Sequence, residues 1–183
     1  MRRIFIVGFC LVAVSTIGVF FLLYKKPPTE VPGKIVIPMD VPEMVTTQQL
    51  PEGWKEYQNI AYDFSLFFPK DFEVREYPEG GGSITVTFQN IQKGEGFQIF
   101  ILPYTEAQVS EERFRKDIPS AVRTDLTDIN VDGATGAAFY SKDDILGDTR
   151  EVWFVHKGFL YEVTALREQE AWLSEIMETW RFI

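Results

Sequence analysis

The sequence predicts an α+β fold, a largely antiparallel sheet flanked by helices and preceded by one transmembrane helix. Three observations predict it. An uncharged apolar run occupies Ile4 to Tyr24. Beyond Trp54 come short alternating runs of β-branched and aromatic residues, cut by Gly, Pro and Asp. The chain closes on Glu168 to Trp180, where Trp172, Ile176 and Trp180 recur at helical spacing. Strands in hairpins with segregated helices imply an antiparallel α+β domain.

The first run holds 21 residues. As a helix it reaches about 31 Å, the thickness of a bilayer's hydrocarbon core. Arg2 and Arg3 precede it, Lys25 and Lys26 follow it, and Tyr24 takes the interfacial aromatic place. A cleaved signal peptide has a shorter apolar stretch and then a small-x-small site, whereas Ala13-Val14-Ser15 falls in mid-run and Lys25-Lys26-Pro27-Pro28 follows directly. A lipoprotein needs a small residue before its cysteine, and Phe9 precedes Cys10, the only cysteine. Residues 1–24 therefore read as an uncleaved signal anchor at the cell membrane. The basic flanks nearly balance, so the short N-terminal tail decides the orientation: N-terminus inside, C-terminal domain extracytoplasmic.

Residues 25–53 hold six of the ten prolines. Proline at that density removes ladder donors and favours polyproline II, so this stretch reads as a tether reaching on the order of 80 Å. Ile35-Val36-Ile37 is its one segment with strand character.

Residues 54–183 form the predicted globular domain. Strands are expected at Tyr62 to Phe68, Phe72 to Tyr77, Ser83 to Phe88 and Phe97 to Leu102, separated by Pro69-Lys70-Asp71, Gly80-Gly81-Gly82 and Gly94-Glu95-Gly96. Val109, Phe114 and Ile118 give helical spacing to Thr105 to Arg123, with a break at Pro119. Two hairpins follow, turning at Asp132-Gly133 and Lys157-Gly158. The closing helix then covers one sheet face through Trp172, Ile176 and Trp180.

In this order, Asn59-Ile-Ala-Tyr-Asp-Phe-Ser-Leu-Phe-Phe-Pro-Lys-Asp-Phe72, Ile129-Asn-Val-Asp-Gly-Ala-Thr-Gly136 and Ile176-Met-Glu-Thr-Trp-Arg-Phe182 resemble the PsbP-like superfamily. That group includes photosystem II extrinsic subunits, a nuclear Ran-binding factor and small bacterial envelope domains. The resemblance covers residues 54–183 and implies an antiparallel sheet sandwiched by helices. It brings no family-wide catalytic residues, and the anchor and tether suit a bacterial envelope member.

Charge excludes one class of partner. The net charge is −9, and residues 54–183 carry 13 basic and 23 acidic side chains. Such a domain is repelled by nucleic-acid phosphates and by anionic headgroups.

Few residues offer chemistry. His156 is the only histidine and sits at a hairpin end, where an exposed turn residue is expected rather than a general base. Gly80-Gly81-Gly82 is followed by neither a lysine nor a helix start, so it is a turn and not a phosphate cradle. Asp128, Asn130 and Asp132 before Gly133 match the first half of a calcium loop, but Phe139 stands where the closing carboxylate belongs. Asp125, Asp143, Asp144 and Asp148 lie close by in sequence. An ordinary Asp-Gly hairpin with a solvated polar face is the expectation there. No catalytic, cofactor or metal residues are assigned. The expected role is a non-enzymatic domain that binds a protein or envelope partner. A divalent-cation binder is the first alternative and a carboxylate hydrolase the second.

Overall fold

The computed structural model describes residues 49–118 and 120–183. The anchor, its orientation and the tether up to residue 48, Ile35-Val36-Ile37 included, lie outside the described residues. Among the described residues no helix is long and apolar enough to cross a membrane.

Seven strands form one antiparallel sheet: β3 (Glu73–Gly80), β4 (Ser83–Asn90), β5 (Glu95–Pro103), β6 (Thr124–Val131), β7 (Ala134–Asp143), β8 (Gly147–His156) and β9 (Phe159–Leu166). Their spatial order is β3-β4-β5-β9-β8-β7-β6, so β3 and β6 are the edges. The hairpins explain most of this order. Asp132 and Gly133 have φ of 45° and 90°, and Lys157 and Gly158 of 44° and 83°. Positive φ at both central residues is the type I′ geometry that suits the strand twist.

The sequence reading missed a second sheet. β1 (Trp54–Asn59) and the short C-terminal β10 (Arg181–Phe182) pair antiparallel on either side of β2 (Phe64–Pro69). Tyr62, expected to open a strand, lies in a 3-10 turn capped by the Asn59 side chain. β2 was expected to alternate, yet Phe64 through Phe68 are all buried, because this middle strand is covered by its neighbours as well as by the core.

Helix α1 (Glu111–Asp117) is much shorter than Thr105 to Arg123. The Tyr104 hydroxyl donates to the Gln108 carbonyl and accepts from Ser110 N, which holds residues 105–110 out of the helix. Ser110 then caps the helix by accepting from Arg113 N, with Glu111 and Glu112 in the first turn and Arg115 and Lys116 in the last, as the dipole favours. Helix α2 (Glu170–Glu178) follows a 3-10 turn at Arg167–Gln169. The Thr179 hydroxyl accepts from Phe67 N at 2.8 Å, tying the helix end to β2.

Alternation along β9 separates two cores. Tyr161, Val163 and Ala165 face Phe64, Leu66, Leu173, Ile176 and Trp180, so one face of the large sheet is covered by α2 and the three-stranded sheet together. Leu160 faces Phe114, Ile118, Phe139 and Trp153, which places α1 on the other face. Two of the three expected helix contacts are fully buried, Ile176 and Trp180, although Trp180 lies past the helix end, where it stacks on Phe64 at 4.3 Å. Trp172 is half-buried against Phe72 and Phe97, and Leu173 takes the place in the core that the spacing gave to it.

Candidate functional site

Between α2 and the β6–β8 side of the sheet lies a cleft of about 230 Å³. Ile129 and Val131 from β6, Val152 from β8, and Leu173 and Met177 from α2 give it an apolar floor. Asn130, Arg150, Ser174 and Glu178 supply its polar atoms. Arg150 is braced: its Nε lies 3.3 Å from the Glu170 carboxylate, which also accepts the Tyr140 hydroxyl at 2.6 Å. The Arg150 and Arg167 guanidiniums sit over the Tyr140 ring, 4.8 and 4.2 Å from its centre.

This arrangement favours binding over chemistry. The Ser174 hydroxyl donates to the Glu170 carbonyl of its own helix, and no histidine lines the cleft to activate it. The volume is below the roughly 300–1,000 Å³ of small-molecule sites.

The acidic hairpin does structural work. Asn130 Oδ1 accepts from Gly133 N at 2.9 Å and closes the turn. Asp132 Oδ2 accepts from Phe182 N at 2.8 Å and fastens β10 to the β6–β7 turn. Asp143 Oδ1 accepts from Ile145 N and Leu146 N, both at 2.7 Å, and so shapes the β7–β8 turn. Asp128 is exposed, and Phe139 is fully buried against Phe114 and Trp153. Among the described residues no group of three or more His, Cys, Asp or Glu converges on a common point.

His156 is not the exposed turn residue expected. It ends β8, is half-buried, and stacks on Phe182 with ring centres 3.5 Å apart. Burial, then the Lys157 charge, lowers its pKa. The turn itself is Lys157-Gly158, with Lys157 Nζ 2.8 Å from Asp63.

Two acids that no sequence spacing had paired meet beneath α1. Arg113 and Asp117, one helical turn apart, form an ion pair there, and Arg113 Nε lies 3.7 Å from Glu162 Oε1 of β9. Burial pushes the Glu162 carboxyl up to about 9, helped by a hydrogen bond to Asp117. Glu151, diagonally placed on β8, is also raised by burial while accepting from Thr164 Oγ1 at 2.7 Å and Trp153 Nε1 at 3.1 Å. The side chains of Asp117 and Glu162 are only 14% and 9% exposed, so the helix that pairs them also closes them off from a substrate. A sequence signal existed: Leu160-Tyr-Glu-Val-Thr-Ala-Leu166 sets an acid in mid-strand on the face of Leu160, and an uncompensated buried carboxylate demands a partner.

No protein-family model and no curated protein matches the sequence. The fold does have a match among solved structures. Cyanobacterial PsbP (CyanoP) from Synechocystis sp. PCC 6803, determined in solution, superposes with a TM-score of 0.55 over 72% of this chain and 93% of its own, at 10% identity. The fold is PsbP-like. At that identity the likeness carries the PsbP-like architecture and no residue roles.

Proposed function

We propose that this chain is a membrane-tethered, extracytoplasmic, non-enzymatic domain that binds a protein partner in the cleft between α2 and the β6 edge. The observation that carries the reading is the cleft's make-up: an apolar floor too small for a cofactor, a few polar atoms, and an edge strand beside it. Edge strands recruit extended partners, and apolar slots beside them select side chains. The uncharged run Ile4 to Tyr24 and the proline-rich stretch after it support the tether and the extracytoplasmic placement. The PsbP-like fold supports a binding rather than catalytic role.

Photocrosslinking in cells tests the reading. A benzophenone amino acid at Asn130 or Ser174 of the full chain is expected to give discrete protein adducts, and one at Glu112 on the far face is not. Identical adduct patterns from the three positions, or none from the cleft, would refute it. Alkaline extraction and protease accessibility of spheroplasts check the tether and the side on which the domain lies.

A further inference from the structure

We infer that the end of the sheet carrying the β4–β5 and β7–β8 turns rests on the bilayer surface, its apolar tips dipping among zwitterionic headgroups. The inference rests on the membrane tether proposed above.

Nine large apolar side chains stand exposed among the described residues. Singly exposed apolar residues are ordinary, so their distribution is what matters. Leu50, Ile91, Ile145 and Leu146 stand at this one end, Ile60 and Ile183 lie toward the other, and Tyr77 and Leu126 fall within strands. The registers fix these positions. The β4–β5 turn follows the pair Asn90 and Glu95, and the β7–β8 turn closes on Asp143 and Gly147. β9 leaves the sheet at this end beside Thr149, and β6 enters it beside Tyr140. In the strand order the two turns are three spacings apart, about 14 Å. Each turn carries a strongly exposed isoleucine, Ile91 at 76% and Ile145 at 69%.

The chain enters the domain at this same end. Gly53 O accepts from Lys70 N at 2.9 Å, and the adjoining Asp71 reaches Asn90 Nδ2 at 2.9 Å and Lys93 Nζ at 2.7 Å, beside Ile91. The described chain therefore begins at the end that carries these tips, beside the β4–β5 turn. A tether that holds the tips close to the surface raises their effective concentration there, so shallow burial of a few side chains is enough to orient the domain. Electrostatics selects the surface. Ile145 and Leu146 lie between Asp143, Asp144 and Asp148, so anionic headgroups repel this end and zwitterionic ones do not.

The test uses the full chain with Cys10→Ser, reconstituted in phosphatidylcholine vesicles. An environment-sensitive fluorophore is placed at Ile91→Cys or Ile145→Cys, with Ile60→Cys as the far-end control. Lipids brominated in the acyl chain are expected to quench the two tip probes at least about twofold more than the control, and phosphatidylglycerol to reduce that quenching. Equal quenching at tips and control, or quenching that grows with anionic lipid, overturns the inference. So does a photocrosslinker at Ile145 that captures protein in cells instead of lipid. Flotation separates the two readings: a chain that fails to float with the vesicles refutes the tether itself, whereas a floating chain with unquenched tips refutes only the orientation.

Discussion

Replacing Glu162 by Gln converts the buried acid beneath α1 into a fixed neutral group, and the pH dependence of stability reports what the acid was doing. In the fold its pKa rises from 4.5 to about 9, first through burial and then through Asp117. Between those values the folded chain keeps a proton that the unfolded chain has released. Stability from this site is therefore complete below pH 4.5 and is lost as the pH climbs through 9. The steepest loss for one proton is about 1.4 kcal/mol per pH unit. A third of the window amounts to about 2 kcal/mol, set against a whole margin of about 5–15 kcal/mol.

Other groups must be separated from it. Glu151, diagonal to Glu162 on β8, is also raised by burial and adds a slope of the same sign. Arg113 opposes the shift from α1. His156 works in the other direction, because its lowered pKa adds stability as the pH rises toward 6.5 and no more above it. Near-ultraviolet circular dichroism melts of the full chain in detergent, from about pH 5.5 to about pH 8.5, are expected to show the wild type losing at least about 5 °C. Glu162→Gln should lose less than half of that, keeping the share due to Glu151. A wild-type melting temperature that is flat or rises with pH refutes the reasoning, and so does a Gln variant with an undiminished slope.

Gly136→Ala should cost several kcal/mol and depress the melting temperature by about 10 °C or more, since its Cβ would stand 2.3 Å from Trp153 O and 2.6 Å from Phe154 Cβ. Asp132→Ala removes the acceptor for Phe182 N and should cost about 1 kcal/mol in thermal melts. Neither it nor the wild type should shift by more than about 1 °C in about 1 mM calcium, because stabilisation needs ligand well above its Kd. Ser174→Leu puts a better helix former at an exposed position of the cleft, so it should keep or raise stability while abolishing crosslinks from Asn130.

Legibility in the sequence followed the range of the interactions involved. Period-two patterning and Asp-Gly or Lys-Gly turns are local, and they placed β4, β5 and the turns of the β6–β7 and β8–β9 hairpins. The second sheet was invisible because its members, Trp54–Asn59 and Arg181–Phe182, lie at opposite ends of the domain sequence and meet only across β2. The helix expected from Thr105 failed through one side chain, the Tyr104 hydroxyl donating to Gln108 O and accepting from Ser110 N. Of the residues that line the cleft, sequence had singled out Asn130, for its donor type and not for its position. The Asp117–Glu162 pair joins residues 45 positions apart, and no spacing rule reaches that far.

The position of the cleft follows from how little material covers a wide sheet. Seven strands span six spacings, about 29 Å. On the α2 face the cover is one nine-residue helix, about 10 Å across with its side chains, and a three-stranded layer of two spacings, again about 10 Å. Together they leave roughly 9 Å, the width of about two strands. The anchoring contacts decide which strands those are. Thr179 binds Phe67 N, and Trp180 stacks on Phe64, so the helix end is held over β2 and the middle of the sheet. The thinly covered strip falls at β6 and β7, where Ile129 stays half-buried and the buried Ala138 side chain is too small to fill the gap. A bulkier residue there would close the slot for the gain of ordinary core packing. Small side chains beside an unpaired edge leave room for an incoming group, and this is why the binding reading attaches to residues 129–138 and not to the carboxylates sealed beneath α1.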